Sequence, residues 1–305
     1  MKVLIFLITT LFISSCSLKK SEDILISAHK GLHNRYPTQQ GNCPSLSLIN
    51  DGHQFSENSM DSIIGAFDSG ADLVEIDLRL TKDNQIIIFH DESLDCKTQL
   101  KGLVRDYTLE QLKQADLYYN ISFDNGKSFP LRGLGLGKIT TLPQVLKLLP
   151  SKPLHLNPKD KTTEMTNALL RDLSKVDEKV LDKYLFWGSE ITFNILKDKL
   201  PHFGHFTTNN WQQAACLKDL KTWGILSFIG ALPTSCLKYS DFSFDHNMSS
   251  LYPNLWPFPL LNVFHFHGIR IWAYGVDTKE QYHKVKRQGF DGIITPNIGS
   301  VKDWQ

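Results

Sequence analysis

Short apolar runs alternate along this chain with stretches of helical periodicity, and that alternation constrains the fold more than any other feature. Strand, helix and strand in succession is the mark of a parallel sheet covered by helices. Strands are expected at Ile24-Leu25-Ile26 and at residues 73–78, 86–90, 154–157, 184–187, 203–207, 270–274 and 292–295. Eight such units predict an α/β fold of the TIM-like (β/α)8 barrel type, one domain over residues 24–305. Between them, Ile63, Ile64, Ala66 and Phe67 carry helical spacing ended by Gly70, and residues 141–149 form a helix that Pro150 stops. No glycine-rich dinucleotide fingerprint or P-loop follows any strand. Two stretches resist the pattern. Residues 32–56, rich in Asn, Gln, Pro and Gly, read as a long loop after the first strand, and residues 227–259 as an aromatic, proline-rich one.

The N-terminus reads as a processing signal. Lys2 is followed by an apolar run to Ile13, then Ser14 and Ser15, then Cys16. A basic start, an apolar stretch and small residues make an export signal too short for a permanent membrane helix. Small residues abutting a cysteine resemble the lipobox of bacterial lipoproteins, so residues 1–15 are expected to be removed and Cys16 lipidated. Residues 16–23 then form a tether to the membrane; an ordinary cleaved secretory signal is the alternative. The mature chain is expected to be exported, anchored at the periplasmic or cell surface, and monomeric.

Charge narrows the partners. The whole chain carries 33 basic and 32 acidic side chains, and loss of Lys2 with the signal leaves 32 of each. A formally neutral domain does not track nucleic-acid phosphates, so a small-molecule ligand is expected. Cys43, Cys96, Cys216 and Cys236 allow three disulfide pairings in an oxidising compartment. Cys216–Cys236 would close a short loop and Cys43–Cys96 would pin the long insertion; free buried thiols are the alternative. No Cys/His spacing suggests zinc.

In such barrels, catalytic groups sit where strands end. His29, Glu75, Asp77, His90, Asp91, Asn157 and Lys159 all fall at or just past expected strand ends. Glu75 and Asp77 are two apart in a strand, so both point to the same side and repel unless a proton or cation intervenes. A divalent cation, Ca2+ or Mg2+, is one resolution; matching by Arg79 and Lys82 at a solvated rim is the other. His29 and His90 suit general acid–base work, and Lys30 and Lys159 can offset charge on phosphoryl oxygens.

The chain resembles the glycerophosphodiester phosphodiesterase family, of the wider phospholipase-C-like barrel group. The matching segments, in family order, are Ala28-His29-Lys30-Gly31, Glu57-Asn58-Ser59, residues 70–77, residues 89–94, residues 141–146, residues 271–276 and residues 289–295. The resemblance implies His29 and His90 as the acid–base pair and Glu75 and Asp77 as metal ligands. It further implies Glu57 as a supporting acid and Trp272 as a wall of the substrate pocket. Helix capping is the alternative for the Glu57 segment, and core packing for Trp272. Lys30 stands where the family has arginine, and Asn157 where a third acidic ligand is expected; Cys96 and Pro296 replace an arginine and an aspartate. The implied reaction splits glycerophosphodiesters into sn-glycerol 3-phosphate and an alcohol. Two rival readings are a non-catalytic barrel lipoprotein binding a phosphodiester or glycan, and a lysophospholipase-D-like enzyme holding an acyl chain against residues 227–259.

Overall fold

Alternation along each strand sorts the side chains of the barrel. In β2 (Leu73–Leu80), Val74, Ile76 and Leu78 are fully buried in the layer against the helices, while Leu73, Glu75 and Asp77 face the barrel interior. Each such aliphatic side chain contributes about 1.5–3 kcal/mol on burial, so this face holds the strand in register. The computed structural model describes residues 24–37, 41–208, 210–223, 231–246 and 258–305. The expected signal, Cys16 and tether lie outside them. Among the described residues no helix is long and apolar enough to cross a membrane.

Eight parallel strands make the barrel: β1 (Leu25–His29), β2, β4 (Leu154–Pro158), β5 (Leu185–Phe186), β6 (His205–Phe206), β7 (Asp241–Asp245), β8 (Arg270–Tyr274) and β9 (Gly292–Thr295). β1 pairs with both β2 and β9, and a single parallel bridge from Thr207 to Asp241 joins β6 to β7. Covering helices include α1 (Met60–Asp68), α2 (Leu142–Leu148), α3 (Thr163–Leu173), α4 (Glu190–Lys199), α5 (Asn210–Trp223), α6 (Phe258–Phe266) and α7 (Lys279–Gln288). Ser59, Thr141 and Thr278 open α1, α2 and α7 with capping boxes. Each satisfies otherwise orphaned amide groups and contributes about 1 kcal/mol.

The expected strand count holds, but one of its members is replaced by another. Ile86–Ile88 is β3, which runs antiparallel to β2 with Leu78 opposite Ile88 and Leu80 opposite Ile86. It is a hairpin arm outside the barrel, because only residues 81–85 separate the two strands. A parallel return needs a crossover of a dozen or more residues. The missing barrel strand is β7, inside the stretch read as an aromatic loop. Its Asp-Phe-Ser-Phe-Asp sequence alternates, with Phe242 and Phe244 buried towards the helices and packed on Phe264. Within that stretch, residues 227–230 and 247–257 lie outside the described residues.

The structure pairs Cys43 with Cys96 and Cys216 with Cys236. The first bond ties the long insertion to the segment after β3; the second ties α5 to the turn at Thr234–Leu237. Arg35 also grips Asp51 through both carboxylate oxygens, bringing the two ends of the insertion together.

Candidate active site

The C-terminal ends of β1, β2 and β4 meet side by side, with His29 opposite Glu75 and Asp77 opposite Asn157 in the sheet register. β1 ends at His29 because the next two residues turn in the left-handed region, Lys30 at φ 60° and Gly31 at φ 81°. A Cβ on residue 31 would lie 2.6–2.8 Å from Ser62, so only glycine fits. The non-glycine left-handed residue, Lys30, is a strained position of the kind that collects at functional sites. The turn aims the Lys30 amide at Glu75 Oε2 (3.1 Å) and its carbonyl at the Asn58 amide (3.0 Å).

Glu75 and Asp77 are fully buried. Asn157 spans them, donating Nδ2 to Glu75 Oε1 at 2.7 Å and to Asp77 Oδ1 at 3.1 Å. Asp77 also accepts from Asn58 Nδ2 (2.8 Å) and pairs with Lys159 Nζ (2.8 Å). Burial, then the charge of Asp77, pushes the Glu75 carboxyl up to about 8. Burial also works to raise Asp77, yet Lys30, Lys159 and His90 hold it down at about 2. The pair therefore carries one proton at neutral pH unless a cation replaces it. Arg79 is turned away to Asp160 and the His90 carbonyl, and the pair is buried rather than set at a solvated rim.

His29 Nε2 stands 3.9 Å from Glu75 Oε2, its ring edge-on to Tyr274 at 5.6 Å. Burial, then Lys30, keeps it well below the ordinary histidine range. His90, just past β3, holds Asp91 Oδ1 through Nδ1 at 2.8 Å. Glu57 is buried and receives Lys30 Nζ (3.2 Å), the Tyr36 hydroxyl (2.7 Å) and Lys97 Nζ. Burial works to raise Glu57, but Lys30 and Lys97 bring it well below the carboxylate range. Its helix is capped by Ser59 instead, which frees the Glu57 carboxylate to bind the lysines.

Trp272 does not reach this mouth. It is fully buried one layer below, its indole N–H on Asp241 Oδ1 at 2.7 Å. Its ring lies against Gly292, where a Cβ would come within 2.3 Å. Two residues along β8, Tyr274 occupies the strand end, with Trp187 beside it at 6.0 Å. Strand alternation allowed either height. Sequence reading placed Asp91 at a strand end without giving it a role, and missed Asn58, Lys97 and Tyr36 as site residues. Asn58, with φ 60°, and Asp91 sit inside quoted motifs; Lys97 and Tyr36 carry no local signal.

Acid–base groups and cations gathered on the C-terminal rim of a packed barrel define an enzyme of the barrel-hydrolase class. The profile of the Glycerophosphoryl diester phosphodiesterase family matches residues 29–300. A Glycerophosphodiester phosphodiesterase of Caldanaerobacter subterraneus subsp. tengcongensis is 28% identical over 247 residues, 80% of this chain and 90% of that one. Two solved structures share the fold. The glycerophosphoryl diester phosphodiesterase domain of a Mycobacterium tuberculosis protein has a TM-score of 0.67 at 15% identity, covering 92% of this chain and 99% of that one. An Oleispira antarctica phosphodiesterase in complex with the product sn-glycerol-3-phosphate has a TM-score of 0.59 at 18% identity, covering 92% and 96%. The chain belongs to the glycerophosphoryl diester phosphodiesterase family and is a phosphoric diester hydrolase.

Proposed function

We propose that this chain hydrolyses glycerophosphodiesters to sn-glycerol 3-phosphate and an alcohol, with His29 and His90 as the acid–base pair. The observation that carries the reading is His29 at 3.9 Å from the buried Glu75, with Lys159 on Asp77 and His90, held by Asp91, within electrostatic reach of Asp77. The product bound to the Oleispira relative supports the substrate class. His29, kept neutral by burial and by Lys30, suits the base that takes the proton of the attacking oxygen, the glycerol's own hydroxyl or water. As the P–O bond to the leaving alcohol breaks, His90 gives that alkoxide a proton. Asp91 on Nδ1 fixes the ring and leaves Nε2 for that step. Lys30 and Lys159 offset charge on the phosphoryl oxygens.

The donor set fits a hard divalent cation, Ca2+ or Mg2+, because two buried carboxylates share one interior and one of them is forced to hold a proton otherwise. Glu75 and Asp77 would hold it, with Asn157 if its amide turns to present Oδ1. Among the described residues no group of three His, Cys, Asp or Glu side chains is arranged for a metal, so this set is one carboxylate short. Such a cation supplies charge neutralisation at the phosphoryl group.

The basic, apolar, small, cysteine order of residues 1–16 supports export and a lipid anchor at Cys16, and two disulfides suit an oxidising compartment. Metabolic palmitate labelling lost in Cys16→Ala tests the anchor. The activity is tested by turnover of glycerophosphocholine with and without EDTA, beside His29→Ala and Glu75→Ala. Equal rates in all four samples would refute the mechanism.

A further inference from the structure

We infer that Lys97 is a positioning residue of this site, holding the carboxylate that orients His90, and that the Cys43–Cys96 disulfide beside it keeps it in place. The inference rests on the proposed acid–base role of His90.

A buried ammonium is costly unless it is paired. Lys97 is 6% exposed, and its Nζ lies between two carboxylates, Glu57 on one side and Asp91 Oδ2 at 3.7 Å on the other. Its other close neighbour is the ring of Phe89, 5.3 Å from Nζ. Glu57 has further partners in Lys30 and the Tyr36 hydroxyl, so it stays anchored without Lys97. Asp91 does not share that security: its other ionic partner is His90 Nδ1, through Oδ1 at 2.8 Å. Lys97 therefore fixes one oxygen of Asp91 while His90 takes the other. Continuous contacts run from Lys30 through Glu57, Lys97 and Asp91 to His90, joining the neighbour of one histidine to the other histidine.

The backbone explains how a flexible lysine is held there. Cys96 precedes it and is bonded to Cys43 with the Cα atoms 5.2 Å apart. Cys43 lies in the same insertion that sends Tyr36 to Glu57. Two separate segments thus reach one carboxylate, and the disulfide is the covalent link between them. Ser122, on a third segment, also holds the insertion, its amide donating to the Ser45 carbonyl and its carbonyl accepting from the Leu48 amide.

The test compares Lys97→Ala, Lys97→Arg and the double variant Cys43→Ser/Cys96→Ser with wild type. One readout is kcat and KM on glycerophosphocholine; the other is the His90 tautomer by 15N NMR of histidine-labelled protein, without substrate. Lys97→Ala should lower kcat about tenfold to a hundredfold, leave KM little changed, and lose the fixed Nδ1–H signal of His90. Lys97→Arg should restore part of both, and the disulfide variant should shift both in the same direction as Lys97→Ala. An unchanged kcat with an unchanged His90 signal overturns the inference. So does a change in KM alone, which would make Lys97 a substrate contact. If Lys97→Ala does not fold, the disulfide variant carries the test with the same readouts. If wild type turns over no glycerophosphodiester, the proposed function fails, and the NMR readout alone decides whether Lys97 positions His90.

Discussion

Replacing Asn157 by Asp restores a third carboxylate and tests how the buried pair is held. In the structure, the Asn157 amide donates to Glu75 at 2.7 Å and Asp77 at 3.1 Å. Asn157→Asp removes both donors; the bond to ionised Asp77 contributes about 1.5–3 kcal/mol and the bond to protonated Glu75 about 0.5–1.5 kcal/mol. A third anion at about 4 Å would add roughly 4 kcal/mol of repulsion per neighbour at an effective dielectric constant near 20. The variant avoids most of that by taking up a proton, as buried carboxyls do. The net loss without cation is then about 3 kcal/mol, which lowers Tm by about 6–12 °C for a chain of this size. Adding Mg2+ or Ca2+ should reverse the order of response, because an extra ligand charge raises cation affinity and bound cation stabilises the fold. The assay is thermal melting of wild type and variant in EDTA and then in millimolar cation. Coincident melting in EDTA would refute the bridging role of Asn157. A destabilised variant whose Tm responds to cation no more than wild type would refute the cation reading.

Titration gives two further expectations of opposite sign. In cation-free buffer the folded chain keeps a proton on Glu75 up to about 8, whereas an unfolded glutamate loses it near its ordinary value of 4.5. The unfolded state therefore binds fewer protons between these values, and stability falls as pH rises through that window. Urea midpoints from pH 5 to pH 9 should fall for wild type and flatten in Glu75→Gln. His155, fully buried on β4 and pushed down to about 3 by burial, acts the other way. Its unfolded form takes up a proton below 6.5, so stability drops by about 1.4 kcal/mol for each pH unit towards 3. A His155→Gln variant whose acid limb is as steep as wild type would refute this. Packing is tested by Gly292→Ala, whose Cβ meets the Trp272 ring at 2.3 Å. A loss of about 1–3 kcal/mol in chemical denaturation is expected, and no loss would show that the ring can shift freely.

Local sequence carried the barrel and the chemistry at its strand ends. Alternation alone placed Glu75 and Asp77 on one face and Val74, Ile76 and Leu78 on the other, because side-chain direction in a strand has a period of two. His29 could be read as a strand end because it follows the apolar run Ile24-Leu25-Ile26. The same logic misread residues 86–90, where a five-residue connection forces a hairpin, and passed over β7, whose polar residues face inward. Periodicity says which residues share a face but not which face is the interior. Only the tertiary structure decided the heights along the barrel, setting Trp272 into the packed layer below and Tyr274 at the strand end. It alone brought Lys97 and Tyr36 to Glu57, across 40 and 21 residues of chain. Contacts of that separation depend on closing long loops, here with a disulfide, and no local pattern encodes where a closed loop lands.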